Sequence, residues 1–284
     1  MWTRADLKMR GKLDFSKNYW VCVLISLILV ILSGQVGSAI SGIRNGFTAS
    51  TSATTEYNYD GLDETDEFDG YYQYGDTEET NPAQIVKNIF TSSMGTALVV
   101  MSIGIALLLS LIGTLFSIFV AAPLIVGGRR FYLENQYENS KISRIGYIFK
   151  KKYYGNTVLT IFLRDLFTFL WSLLFIIPGV IKSYSYWMME YIMAENPTLS
   201  HERAFEISKQ TMVGEKWDVF VLDLSFIPWH LLSTITCGLV GIFYVNSYVD
   251  ATYAQLYGFL RMKALNQGFA TPEELPGYYP QNGN

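Results

Sequence analysis

MGTALVVMSIGIALLLSLIGTLFSIFVAAPLIV, residues 94–126, contains no charged side chain. A helix rises 1.5 Å per residue, and about 20 apolar residues cross a hydrocarbon core about 30 Å thick. The run is therefore long enough to span a membrane, and Pro123 marks its end. On its N-terminal side, Val21 to about Ile43 is also free of charge, with Tyr19 and Trp20 as interfacial residues at its start.

Beyond it the pattern recurs in pairs. Thr157 to Ile177 forms a third apolar stretch, stopped by Pro178-Gly179, and Val180 to Ala194 returns as a fourth that ends at Asn196-Pro197. Trp217 to Thr236 is a fifth, broken at Cys237-Gly238, and Leu239 to Phe259 is a sixth, closed by Arg261 and Lys263. The expected fold is all-α, a polytopic membrane bundle of about six transmembrane helices with cytoplasmic N-terminal and mid-chain amphipathic helices. Composition agrees: 50% of residues are hydrophobic and only 16% charged, with a mean hydropathy of +0.20, where soluble domains carry about 25% charge.

The connecting segments complete the plan. Residues 1–18 are a basic amphipathic segment, expected along the inner membrane surface. Residues 19–43 and 94–126 make a first helix pair. Residues 44–81 carry acids among Ser, Thr, Tyr and Gly without apolar periodicity, which reads as a disordered extracytoplasmic loop. Residues 127–156 read as a basic cytoplasmic loop, 157–196 and 217–263 as helical hairpins, 198–213 as an amphipathic helix, and 264–284 as a disordered tail. Of the 21 Lys and Arg residues, all but Arg44, Lys87, Arg164 and Lys182 then fall on the cytoplasmic side, as the positive-inside rule requires. Both termini are thereby expected in the cytoplasm of a multi-pass cell-membrane protein. Gly37-Ser38-Ala39 resembles a signal-cleavage site, but a charged lead containing Asp6 and Asp14 fits a signal peptide poorly.

The two hairpins share a pattern. Leu163-Arg164-Asp165-Leu166 with Trp171 parallels Val221-Leu222-Asp223-Leu224 with Trp229. Gly179 and Gly238 are the turn glycines, and Glu190 and Asp250 stand at corresponding points of the return helices. This describes a parallel repeat. All four acids then share one level, about 16–22 Å below the outer turns. Charged groups at such depth are costly against lipid, so Arg164, Asp165, Glu190, Asp223, His230 and Asp250 are the candidate polar core. Arg164, the nearest countercharge, is expected to pair with Asp223 or Glu190. Two readings stay open: hydrogen-bonded glue between helices, or the lining of a cavity for a proton, cation or small polar solute.

At WDVFVLDLSF (217–226) the sequence resembles the bacterial membrane family catalogued as domain of unknown function 975. NYW (18–20), IIPGVIKSY (176–184) and ATYAQLY (251–257) support the likeness, which extends over nearly the whole chain outside 44–80 and the tail. The resemblance implies a multi-span protein of the bacterial cytoplasmic membrane with no established activity. More remotely, the chain is similar to the membrane domain of some glycerophosphodiester phosphodiesterases, whose catalytic domain has no counterpart here.

No phosphate loop, dinucleotide fingerprint, H-E-x-x-H or G-x-S-x-G pattern occurs. Cys22 and Cys237 lie in apolar runs and read as small buried residues, and the two histidines suggest no metal site. No catalytic residue, cofactor or metal is expected. The basic segments face anionic lipid rather than nucleic acid. The expected partners are the lipid bilayer and other membrane proteins, with no solute identified. The expected function is a non-enzymatic accessory or scaffold of the envelope; the alternative is a small transporter or channel using an intramembrane acidic cavity.

Overall fold

The computed structural model describes residues 2–32 and 93–278, and every regular element among them is helical. The expected loop 44–81, the end of the first span and the last six residues lie outside the described residues. Two units are distinguished, one containing residues 2–32 and 116–278 and the other 93–115. Among the described residues, the second unit is one apolar helix, α3 (Ser93–Phe116) as far as Leu115.

The first unit opens with α1 (Arg4–Lys17) and α2 (Tyr19–Leu32), which meet at a bend of 106°. A π-turn (Ser117–Ala121) leads into α4 (Ala122–Asn135), and a 3₁₀ segment (Ile142–Phe149) into α5 (Lys151–Leu174). The first hairpin returns through α6 (Ile176–Ser185) and α7 (Met189–Glu195), followed by α8 (His201–Thr211). The second rises through α9 (Lys216–Leu224) and α10 (Ile227–Ile235), and returns through a π-turn (Gly241–Val245) into α11 (Asn246–Asn266).

Three stretches are long and apolar enough to cross a membrane: Gly95–Asn135, Lys151–Leu174 and Lys216–Ile235, with the bent α1–α2 pair as a fourth if it counts as one span. The sequence suggested about six. The shortfall lies in the two return legs, and its cause is packing. The first leg breaks at Tyr186–Met188, after which α7 turns Met189, Ile192, Met193 and Ala194 fully inward. The second leg is α11, the hub of the unit, which packs against α1, α2, α4 and α8. It buries Thr252, whose hydroxyl donates to the Tyr248 carbonyl, as well as Leu256 and Leu260. A helix enclosed by protein can mix polar and apolar residues because its polar groups find protein partners, so neither leg reads as a uniform apolar span. The outgoing helices behave differently. Phe169, Leu173 and Leu174 on α5 and Leu231 and Ile235 on α10 are exposed, as are Ile176, Ile177 and Leu239 where the return legs begin. Contiguous apolar surface of this kind marks a face that contacts a membrane or another protein.

Three segments depart from the plan. Residues 127–156 are not a loop: α4 continues to Asn135 and carries Arg129 and Arg130 into the protein, and Ile145 and Ile148 of the 3₁₀ segment are buried. Gly127 makes this possible, since a Cβ there would lie 1.9 Å from the Ile145 carbonyl oxygen. Residues 264–278 are not a disordered tail: α11 runs to Asn266, Gly268 turns the chain at φ +71°, and Ala270 and Leu275 are buried. Nor is α1 only a surface helix, because Leu7, Gly11, Asp14 and Phe15 are buried. Gly11 lets it approach α11 closely, a Cβ there lying 2.8 Å from Thr252 Cα.

The Gly127 contact gives a first expected outcome. Gly127→Ala pushes backbone against backbone, where no side chain can yield, and should cost about 1–3 kcal/mol or more. Gly104→Ala, whose Cβ meets nothing within 4 Å, should be neutral or slightly stabilising. Thermal melting in detergent checks both, and equal melting temperatures for the two variants would show that the 3₁₀ segment does not pack on α4.

Candidate functional site

Four of the six anticipated polar residues join a single chain of charges. Arg164 lies mid-way along α5 and turns back to its neighbour, with Nη2 2.8 Å from Asp165 Oδ1. Its Nη1 reaches across to α7 and donates to Glu190 Oε1 at 2.6 Å. Pairing of Arg164 with Glu190, one of the two anticipated partners, is thus what the fold adopts. Glu190 Oε2 accepts from Arg129 Nε at 2.8 Å, and Arg129 Nη1 donates to Asp250 Oδ1 at 2.7 Å. Ser26 Oγ on α2 donates to Asp250 Oδ2 at 2.9 Å and stands 2.6 Å from the Tyr132 hydroxyl. Five helices are thereby tied through one line: Asp165, Arg164, Glu190, Arg129, Asp250, Ser26.

Burial grades along the line. The Arg129, Glu190, Asp250 and Arg164 side chains are 16–20% exposed, while Asp165 is 61% exposed. All four oxygens of Glu190 and Asp250 are engaged. Withdrawn from water, such groups are stable only when paired and hydrogen-bonded, and here they are.

Asp223 does not join the chain. Its two oxygens accept from the Tyr184 hydroxyl at 2.5 Å and the Tyr253 hydroxyl at 2.6 Å. His230 makes no ion pair with these acids; it lines a cavity of 370 Å³ together with Arg129, Glu190, Asn246, Asp250 and Tyr253. A second cavity, of 280 Å³, is lined by Arg164, Asp165 and Thr168 among others. Arg129, Glu190 and Tyr253 belong to both walls, so the Arg129–Glu190 pair partitions the two spaces.

Arg129 is the residue that sequence reasoning missed, having been counted with a basic loop. Its signal was faint: an arginine directly after Gly127-Gly128, where close packing extends a helix past its apolar run. The repeat gains geometry from it. Glu190 and Asp250, read as corresponding acids, converge on this one guanidinium. The glycines correspond differently from expectation: Gly179 is not the turn residue but sits on α6 against Ser172, as Gly241 sits against Ser233 in the second hairpin. Gly238, at φ +84°, makes a true turn. Cys237 precedes it and is exposed, contrary to the buried reading; Cys22 is buried.

Among the described residues, no group of three or more His, Cys, Asp or Glu is placed to hold a metal ion. Arg164, Glu190, Arg129 and Asp250 are committed to one another.

The fold and this interior define an all-α helical protein with helices long and apolar enough to cross a membrane. Residues 173–264 match the family described as Protein of unknown function (DUF975), the family that the sequence resembles. The match takes in Glu190, Asp223, His230 and Asp250, whereas Arg129, Arg164 and Asp165 lie before it. No curated protein and no solved structure matches the chain, so the remote likeness to the phosphodiesterase membrane domain gains no support.

Proposed function

We propose that this chain is a non-enzymatic, multi-pass protein of the bacterial cytoplasmic membrane, acting as an accessory or scaffold whose polar core locks its helices together. The observation that carries this reading is the saturation of the core: each oxygen of Glu190 and Asp250 already has a protein donor. Such a network specifies which helices meet and at what register, and it leaves little capacity for a substrate.

The two cavities favour a second reading, a path for a small polar solute or proton along the acidic level. Thr168 and His230 line the two cavities and stand outside the charge chain, so they separate the readings. In a background without native cysteines, Thr168→Cys and His230→Cys should react slowly with a small water-soluble thiol reagent. Reaction at the rate of an exposed Lys209→Cys control would overturn the lock in favour of a hydrated path.

The proposed topology places residues 127–156, α8 and both termini on the cytoplasmic side, supported by the distribution of basic residues. Exposed Cys237 is a natural reporter for the opposite face. In intact cells an impermeant maleimide should label wild-type Cys237, while Lys209→Cys in a Cys237→Ser background should label only after permeabilisation. Labelling of Lys209→Cys from outside would invert the arrangement.

A further inference from the structure

Helix α1 carries a second apolar stripe that the fold leaves bare. At 3.6 residues per turn, Leu7, Gly11 and Phe15 share one side and are buried, with Asp14 beside them, where α1 packs on α11. Nearly opposite stand Ala5, Met9 and Leu13, all exposed, Met9 at 59% and Leu13 at 56%. Cations border the bare stripe on both edges, Arg4, Lys8 and Lys12 along one and Arg10 and Lys17 along the other. The two acids of the helix are already paired within it, Asp6 with Arg10 at 3.0 Å and Asp14 with Lys17 at 2.8 Å. Lys8 turns inward to the Ser225 carbonyl. The Arg4 and Lys12 side chains have no hydrogen-bond or ion-pair partner among the described residues. An apolar stripe edged by unpaired cations is the pattern of a helix lying in the headgroup layer of an anionic leaflet.

The bend supplies the orientation. α2 turns 106° from α1, so where α2 crosses the membrane α1 runs close to the membrane plane. Apolar exposure resumes directly after the bend, at Trp20, Leu24 and Ile31 of α2. A tryptophan in that place suits the boundary between hydrocarbon and headgroups.

We propose that α1 is a two-faced interfacial helix: Leu7, Gly11 and Phe15 clamp it to the protein, and its other face lies in the inner leaflet, where Arg4 and Lys12 bind the headgroups of anionic phospholipids. This rests on the membrane topology proposed above and adds to it the lipid class and the residues that select it. An acidic protein surface would satisfy the cations. The apolar stripe between them, resumed on α2, calls for acyl chains beside the phosphates. Because the Arg4 and Lys12 side chains contribute no pairing to the fold, reversing their charges probes lipid binding alone.

Full-length protein in nanodiscs of mixed phosphatidylglycerol and phosphatidylcholine tests this. In a background without native cysteines, a nitroxide on Leu13→Cys should be reached more readily by oxygen, which concentrates in hydrocarbon, than by a water-soluble nickel chelate. On Lys209→Cys the order should reverse. Spin-labelled phosphatidylglycerol should associate with wild type about fivefold more than spin-labelled phosphatidylcholine, the factor that one cation near an anionic surface contributes. Arg4→Glu combined with Lys12→Glu should abolish that preference at an unchanged melting temperature. The proposal is overturned if the nickel chelate reaches the Leu13→Cys nitroxide as freely as the Lys209→Cys one, which places α1 in water. It is equally overturned if the phosphatidylglycerol preference is missing from wild type, or survives the double charge reversal and so belongs to other cations. Labelling of Cys237 and of His230→Cys reports on the topology and the core separately, so either failure leaves those readings standing.

Discussion

Replacing Arg129 by leucine should destabilise the protein by about 3–5 kcal/mol, the cost of leaving buried carboxylates without their countercharge. Glu190 keeps Arg164 at 2.6 Å, but Asp250 keeps only the Ser26 hydroxyl. The second change that should relieve the loss is therefore Asp250→Leu rather than Glu190→Leu. Arg129→Leu with Asp250→Leu should recover more than half of it, since both ends of the broken pair are then apolar. Melting temperatures of the two singles and the double, in one detergent, complete the cycle. A neutral Arg129→Leu would mean that water already screens these acids, and a hydrated cavity would become the better account of the core.

Glu195 should be nearly as sensitive. Its side chain is 1% exposed and pairs with Arg261 at 3.0 Å, accepts from the Tyr257 hydroxyl at 2.5 Å, and accepts from Gly277 N–H. Glu195→Leu leaves the Arg261 guanidinium without its carboxylate and removes the acceptor of two further donors, for an expected loss of about 3–5 kcal/mol. Glu195→Gln retains an oxygen for these donors and should lose distinctly less. Chemical denaturation of both variants in detergent gives the comparison. An equal loss would show that charge, rather than hydrogen-bond acceptance, holds this corner together.

The two sites differ in how visible they were beforehand. Arg164, Asp165, Glu190, Asp223 and Asp250 stood out because a charge inside an apolar run is conspicuous, and helical rise alone places them at one depth. Glu195 and Arg261 stood at the edges of such runs, where charges are ordinary, so nothing in their spacing set them apart. The tail looked unstructured because Gly268, Pro272, Pro276 and Gly277 rule out a helix. The short turn at 271–275 gains its place from distant residues on and beside α7 and α8, with Arg203 on the Glu274 carboxylate and Asn196 on the Glu274 carbonyl.

By itself the sequence determined the helical class and the apolar stretches at 94–126, 157–177 and 217–236, and singled out the charges set inside such stretches. Those properties follow from local composition and a fixed rise per residue. The tertiary structure alone decided the pairings. It chose Glu190 over Asp223 for Arg164, brought Arg129 to two acids that lie 60 residues apart, and gave Asp223 to two tyrosines. It also made α7 and α11, the inner parts of the return legs, core rather than surface, and seated the tail. The physical reason is the same throughout. A charge pair depends on which helix faces face each other, and that is set by close approaches such as Gly127 on Ile145 and Gly11 on Thr252, which no single stretch of sequence contains.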